Sequence, residues 1–346
     1  MKAILCGYYG QGNGGDEALL VSLLQMLPSN VTPIVLSGNP QATQEAYGVA
    51  SCRHKSAMPI LKAMQISDAF IWGGGSLMQD ATSIASPIYY AGLMALAQQR
   101  GLKTIAWAQG IGPLNKSLTR WLTKNTLYGC TGISVRDRAS AKLLQDWQIE
   151  PIVAPDPVWA LESKPISQDL VTTDKPVVAV NLRSHSLLTQ ERLTLLTQAL
   201  KIFQAATDTY ILLVPFQASK DLEIAQKIKQ TTESSQIVSL TDPRELKGLF
   251  KQVQFTIGMR LHSLIMAAAE GSSCFALSYD PKVTQLMKEC EIPGYELRDL
   301  PNDAEAIAKT WQDVYSRSGS LEIANIRLFQ NNALAHRELL SSCLSG

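Results

Sequence analysis

The stretch that most restricts the fold is residues 254–283, QFTIGMRLHSLIMAAAEGSSCFALSYDPKV. Residues 254–257 form a short β-prone run, 261–270 an apolar, alanine-rich helix, 274–278 a second β-prone run, and Asp280-Pro281 a turn. Two strands joined through a helix of that length pair in parallel with a crossover connection. Gly258 permits a sharp break after the first strand. Arg260 and His262 therefore open the helix, and Lys282 follows the second strand. All three stand at strand carboxyl ends, where open α/β sheets bind ligands.

Two fixed cations, an imidazole and a helix N-terminus facing one small volume repel one another unless an anion lies between them. The expected ligand is small, compact and multiply negative. A plainer arrangement uses the same residues: Arg260 capping a carboxylate, His262 satisfied in the core, Lys282 solvated.

The chain of 346 residues is long enough for about two domains. A formal net charge of +1 rules out the sequence-wide basic field that holds nucleic acid, so any cationic site is local and no nucleic-acid partner is expected. The first six residues carry one lysine and a very short apolar run before a glycine-rich loop and Asp16 and Glu17, which is not a signal-peptide pattern. No uninterrupted apolar run reaches the length of a membrane span. Cys6, Cys52, Cys130, Cys274, Cys290 and Cys343 are scattered without a CxxC pair, so neither a disulfide framework nor a cysteine zinc site is indicated. A reduced cytoplasm is the expected compartment.

Taken in order, residues 2–6 read as a strand, 7–15 as a glycine-rich loop and 16–27 as an apolar-faced helix opening at Asp16. The loop satisfies G-x-G-x-x-G through Gly10, Gly12 and Gly15, in the position a dinucleotide fingerprint requires. The next strand, 32–36, runs into Ser37-Gly38-Asn39 and offers no acid for a ribose. The glycines are therefore read as a backbone-lined loop that lets a ligand approach closely. A polar helical stretch and a loop through His54 lead to strand 69–72, which ends in Gly73-Gly74-Gly75-Ser76. Glycines at that place imply close approach to a ligand or to another helix. Asp80 follows as an exposed or capping acid.

Helix 87–100 ends at Gly101, and strand 104–108 exits through Gln109-Gly110-Ile111-Gly112-Pro113. Helix 117–128 comes next, then strand 132–135, which delivers Arg136 and Asp137. Helix 138–147 and residues 152–154 close the half, with Asp156 between two prolines. Arg136 either pairs with Asp137 or Asp156 or supplies a third fixed cation to the anion site.

Polar residues 162–175 suit an interdomain linker. A second alternating series follows, with strands 177–181, 210–215 and 236–240 and helices 190–205, 221–230 and 242–251. The opening unit then leads into a helix over 282–290. Arg183 and His185, just past the first strand of this series, are secondary site candidates that also fit a solvated loop. Helices 304–315 and 321–343 end the chain, the latter long enough to pack back on the first domain. The predicted class is α/β, with two Rossmann-like doubly wound parallel-sheet domains at 1–165 and 176–320, a C-terminal helix at 321–346, and a cleft between the halves.

The motifs G-N-x-G-D-E-A (Gly12 to Ala18), W-G-G-G-S (Trp72 to Ser76), Gln109-Gly-Ile-Gly-Pro113, S-V-R-D (Ser134 to Asp137), R-L-H-S (Arg260 to Ser263) and S-Y-D-P-K (Ser278 to Lys282) occur in that order. Their order and spacing resemble the polysaccharide pyruvyl transferase family and, within it, the CsaB-like cell-wall branch. The resemblance runs from the first strand to the helix after Lys282. It implies a fold similar to two-domain GT-B glycosyltransferases and transfer of pyruvate from phosphoenolpyruvate to a sugar as a ketal. Carried over by motif, Arg136, Arg260, His262 and Lys282 are associated with the donor. Gly75 and Ser76 join the donor set, and Asn13, Gly14 and Asp16 are assigned to the acceptor.

This agrees with the charge reading, because phosphoenolpyruvate carries about three negative charges near neutral pH and arginine suits bidentate contacts to carboxylate or phosphate. His262 is assigned as general acid or base. Asp16 either orients or deprotonates the acceptor hydroxyl, as a catalytic residue beside His262 and Arg260, or is a plain helix N-cap. No metal and no cofactor beyond the donor is expected. The acceptor is a sugar or a lipid-linked oligosaccharide. A membrane-anchored acceptor would bring the enzyme peripherally to the inner leaflet, although no amphipathic basic helix stands out in the sequence. The competing classes are a GT-B glycosyltransferase with a nucleotide-sugar donor and a non-catalytic sugar- or nucleotide-binding protein.

Overall fold

The computed structural model describes residues 1–81, 83–317 and 323–345. It contains two parallel sheets. The first comprises β1 (Lys2–Tyr9), β2 (Thr32–Ser37), β3 (Ala50–Arg53), β4 (Ala69–Met78), β5 (Lys103–Ile111), β6 (Gly132–Val135) and β7 (Ile152–Val153), in the order β3-β2-β1-β4-β5-β6-β7. The second comprises β8 (Val177–Asn181), β9 (Tyr210–Leu213), β10 (Ser235–Ile237), β11 (Phe255–Gly258), β12 (Ser273–Ser278) and β13 (Gly294–Glu296), in the order β10-β9-β8-β11-β12-β13. Each is the doubly wound order, with its reversal between β1 and β4 or between β8 and β11, where ligands of such sheets bind. The Rossmann-like expectation is met in both.

The central strands are apolar along their length because helices cover both faces. Ala3, Ile4 and Leu5 of β1 are fully buried, as are Phe255 of β11 and Ala276 of β12. In the first sheet Trp72 and Trp107 are also fully buried. Residues Met1–Leu161 and Phe329–Gly346 form one compact unit, and Glu162–Leu328 the other.

The end of the chain does pack on the first sheet. Helix Ala335–Leu344 lies against β5 and β6, with Leu340 and Leu344 buried beside Ile105 and Trp107. The Trp107 indole N–H donates to the His336 carbonyl at 3.1 Å. The approach is close enough that a Cβ at Gly132 would lie 2.5 Å from Cys343 Sγ. The predicted single helix is two, Ile323–Ala333 and Ala335–Leu344. Its predicted start, Leu321, lies outside the described residues.

Other departures have physical causes. β4 continues through the glycine run to Met78 because Gly74 and Gly75 take φ of +78° and +87°, conformations open to glycine, and its pairing with β5 shifts register between Gly75 and Met78. β1 likewise extends to Tyr9 and β5 to Ile111. The loop expected through His54 contains the edge strand β3, and the short edge strand β13 was not foreseen.

Candidate anion and sugar sites

At the carboxyl edge of the first sheet, the loop after β1 is turned by Gly10 and Gly12, both left-handed at φ +69° and +66°. Gly10 N–H donates to Glu17 Oε1 at 2.8 Å, and Tyr47 donates to the other oxygen at 3.1 Å. Burial raises the Glu17 pKa against these hydrogen bonds. The loop is thus closed on its own acid, and that amide is not offered to a pyrophosphate. This counts against a dinucleotide site.

Asn13 caps helix Gly14–Met26, its Oδ1 accepting from Gly15 N–H at 3.2 Å. Asp16 is therefore not the N-cap; it sits in the first turn, where the Asn13 amide donates to its carboxylate. A Cβ on Gly75 would lie 3.8 Å from Asp16 Oδ1, so the glycine of β4 backs onto this acid. Asn13, Gly14, Asp16 and Gly75 are gathered at one place.

Next to Gly75, Ser76 Oγ accepts from Arg136 Nη2 at 3.1 Å. Arg136 is buried, and its Nη1 donates to Asp156 Oδ2 at 2.7 Å. Of the two acids within reach in sequence, Asp156 is the partner. Asp137 instead caps helix Arg138–Gln145, accepting from Ser140 N–H at 2.7 Å. A Cβ on Gly110 would fall 3.1 Å from Arg136 Nε, so the guanidinium lies against bare backbone there. The segment carrying Asp156 is held by the last helix: His336 bonds Pro155 O and Ser134 Oγ, each at 2.9 Å.

In the second unit, the carboxyl edge carries a denser group of cations. Arg260 N-caps helix Leu261–Ala269, and its backbone N–H donates to Asn181 Oδ1 at the end of β8, at 3.2 Å. Its guanidinium is buried and grips Asp221 with two bonds, Nε to Oδ2 at 2.8 Å and Nη2 to Oδ1 at 2.7 Å. Asp221 also accepts from Phe216 and Gln217 N–H at 2.9 and 3.0 Å, which fixes the start of helix Ala218–Lys229. Arg260 is thus charge-compensated, the plainer of the two arrangements its sequence position allowed. Lys282 is half-exposed, with Nζ 3.6 Å from Asp280 Oδ2. His262 is partly buried in the first turn after Arg260.

Other cations at this edge are in no ion pair with a carboxylate among the described residues. Arg183, beyond β8, donates from Nη1 to the Tyr279 hydroxyl at 2.8 Å, with its guanidinium carbon 5.0 Å from that ring's centroid. Its Nε is buried without a hydrogen-bond partner among the described residues. Lys220 opens the helix after β9. Ser184 N–H donates to the Lys220 carbonyl at 3.0 Å, and burial, then the charges of Arg183 and Arg260, lower the Lys220 pKa against Asp221. His185, whose ring centroid is 4.8 Å from that of Tyr279, has its pKa lowered by burial and by Arg183. Arg183 had only secondary standing in the sequence reading, and Lys220 was missed. The signal was present: Lys220 follows β9, the neighbour of β8, at the same sheet edge as Arg260.

A pocket of about 330 Å³ adjoins this edge, lined by Tyr279, Asp280, Pro281, Lys288, Glu296 and Arg298 among others. Among the described residues there is no group of three or more His, Cys, Asp or Glu side chains placed to hold a metal ion. No helix among them is long and apolar enough to cross a membrane.

Comparison with solved structures bears out the two-domain fold. The chain is similar to UDP-GlcNAc 2-epimerase from Neisseria meningitidis, bound to UDP-GlcNAc, with a TM-score of 0.66 at 10% identity over 99% of this chain and 100% of that one. It is also similar to UDP-GlcNAc 2-epimerase from Methanocaldococcus jannaschii (TM-score 0.63, 12% identity, 99% and 100% covered). A glycosyltransferase from Rickettsia africae ESF-5 gives a TM-score of 0.60 at 15% identity, with 100% and 99% covered. At these identities the likeness is one of fold. Among curated protein sequences none matches the chain. The pattern that defines one family does match, over residues 13–281, which is most of the chain and includes Asn13, Asp16, Ser76, Arg136, Arg183, Lys220, Arg260 and His262. The chain therefore belongs to the polysaccharide pyruvyl transferase family.

Proposed function

We propose that this member of the family takes pyruvate from phosphoenolpyruvate and places it as a ketal on a cell-wall or surface sugar, in the manner of the CsaB-like branch. The observation that carries the reading is the cluster of Arg183, Lys220 and Arg260 at the carboxyl edge of the second sheet, whose one close ion pair among the described residues is Arg260 with Asp221, a single carboxylate whose charge also reaches Lys220. A small anion with phosphate and carboxylate groups would relieve the repulsion between these charges and supply the acceptor that buried Arg183 Nε lacks. Lys282 extends the donor set, and Arg136 with Gly75 and Ser76 remains part of it.

In the reaction, the methylene carbon of the enol ether takes a proton and leaves an oxocarbenium-like carbon. One sugar hydroxyl adds there and gives up its proton. The carbon–oxygen bond to phosphate then breaks, and a second hydroxyl of the same sugar closes the ring. Of the two hydroxyl protons released, one balances that taken by the methyl group and the other leaves with phosphate. His262 is assigned the proton transfer at carbon. The cations stabilise the departing phosphate. Asp16, held by Asn13 beside Gly14 and Gly75, orients the acceptor hydroxyl. No cofactor beyond the donor is part of this scheme.

The fold shared with proteins that act on UDP-GlcNAc favours a second reading, a glycosyltransferase with a nucleotide-sugar donor. Thermal stabilisation by phosphoenolpyruvate, compared with UDP- and GDP-sugars, separates the two. Phosphate release that requires both phosphoenolpyruvate and a glycan acceptor, and that falls far more in His262→Ala than donor affinity does, is the expected result. Stabilisation by a nucleotide-sugar alone would replace the proposal with the alternative.

A further inference from the structure

We propose that an exposed face of the first unit, formed by Leu118, Trp121 and Tyr128 together with Ile84 and Ile88, docks on an anionic phospholipid bilayer. Helix Ser117–Tyr128 buries Thr119, Thr123, Thr126 and Leu127 and turns its larger apolar groups outward. Leu118 is 55% exposed, Trp121 61% and Tyr128 52%. At 3.6 residues per turn these three fall within an arc of about 80°. The neighbouring helix, Ala85–Gln99, contains no charged residue, and at its start Ile84 and Ile88 are exposed as well. Gln98 donates to Thr126 O at 2.8 Å and ties the far ends of the two helices together. Both helices begin at the carboxyl edge of the first sheet, the edge that holds Ser76 and Arg136.

Charge selects the occupant. Between Asp80 and Asp137 the chain has no acidic residue, yet Arg100, Lys103, Lys116, Arg120, Lys124 and Arg136 lie in that stretch. Lys116, Arg120 and Lys124 flank the apolar face, with Lys124 Nζ 5.6 Å from the Tyr128 ring centroid and Arg120 5.5 Å from that of Trp147. Asp80 is buried and spent on the start of the helix, accepting from Asn115 and Lys116 N–H and from Thr119 Oγ1 at 2.8, 2.8 and 2.6 Å, and Asp146, next to Trp147, is paired with Lys142 at 2.6 Å. Exposed tryptophan, tyrosine and leucine ringed by cations match the headgroup region of an anionic membrane. A second copy of the chain fits poorly, because a two-fold contact would set these cations against themselves. The inference is independent of the chemistry proposed above, since binding alone reads it.

The test is flotation of the full chain with vesicles of phosphatidylcholine alone or with about 30% phosphatidylglycerol added. Binding is expected only to the anionic vesicles and should weaken with salt. Leu118→Ser/Trp121→Ser and Lys116→Glu/Lys124→Glu should each lower partitioning at least about tenfold. The wild-type chain offers a readout that needs no variant. Of its six tryptophans, Trp72, Trp107, Trp147, Trp159 and Trp311 are buried, so quenching by brominated lipid reports Trp121. Absence of flotation, equal flotation by both double variants, or a dimer in light scattering that these variants abolish would each overturn the proposal.

Discussion

His336 gives the sharpest test of how the last helix supports the Arg136 site. Its ring is fully buried between Ser134 Oγ and Pro155 O. Ser134 Oγ accepts from Ala108 N–H at 2.8 Å and can give its own proton to Nδ1 of a neutral ring whose Nε2–H donates to the Pro155 carbonyl. The neutral ring satisfies both of its nitrogens in this way. Burial, with a smaller contribution from Arg136, holds the pKa down at about 4 against the efforts of Pro155 O and Asp156. The folded protein therefore refuses a proton that the unfolded chain takes up at an ordinary histidine pKa of about 6.5. Stability from this group is complete above that value and is lost as pH falls toward 4. At about 1.36 kcal/mol per pH unit, acidification from about pH 7.5 to 4.5 should cost about 2.5 kcal/mol through His336 alone. Urea unfolding at the two pH values, for wild type and His336→Gln, isolates the effect, since the carboxylates titrate alike in both. An acid-induced loss as large in His336→Gln as in wild type would refute the reasoning.

Other consequences follow from the same geometry. Asp221→Asn removes the buried charge that Arg260 grips; it should cost about 3 kcal/mol in chemical denaturation and tighten binding of inorganic phosphate in calorimetry. If phosphate binding instead weakens, the net charge of the cluster is not what attracts the anion. Arg183→Gln and Lys220→Met should each weaken phosphoenolpyruvate binding about tenfold or more, as expected for losing a hydrogen bond to a charged group. Unchanged affinity in both would move the donor elsewhere. Gly75→Ala has room for its methyl group, with Leu19 Cδ1 3.6 Å away, but a φ of +87° disfavours it. A loss of about 1–2 kcal/mol in thermal unfolding is expected, and a neutral result would show that β4 can relax there.

The architecture was legible where burial writes a strong pattern. β8, β11 and β12 are short, wholly buried strands, VVAVN, FTIG and SCFALS, rich in Val, Phe, Ile, Ala and Leu and covered on both faces. β3 and β13 are short edge strands with mixed residues, so their pairing comes from the neighbour and leaves little trace in composition. The site was legible as positions and less so as partners. Strand ends pointed to Arg136, Arg260, His262 and Lys282, and Asp156 was one of two acids considered for Arg136. The Asp221 carboxylate that neutralises Arg260 lies 39 residues away, a pairing that local periodicity does not encode. Lys220 went unnoticed because helix 221–230 was started one residue after it, whereas the helix begins at Ala218. The basic helix Ser117–Tyr128 was placed correctly, but an outward apolar face can be told from an inward one only when burial is known.

The return of helix Ala335–Leu344 to β5 and β6 also dictates an order of events during synthesis. A ribosome releases Trp107, Ser134 and Pro155 long before it releases the residues that satisfy them. Until Leu344 has emerged, the earliest-made sheet keeps an open flank over Ile105 and Gly132, while everything belonging to Glu162–Leu328 is already available to fold. The half translated first is thus the half completed last, and a chain interrupted just short of its final helix would expose the indole, hydroxyl and carbonyl groups that this helix covers.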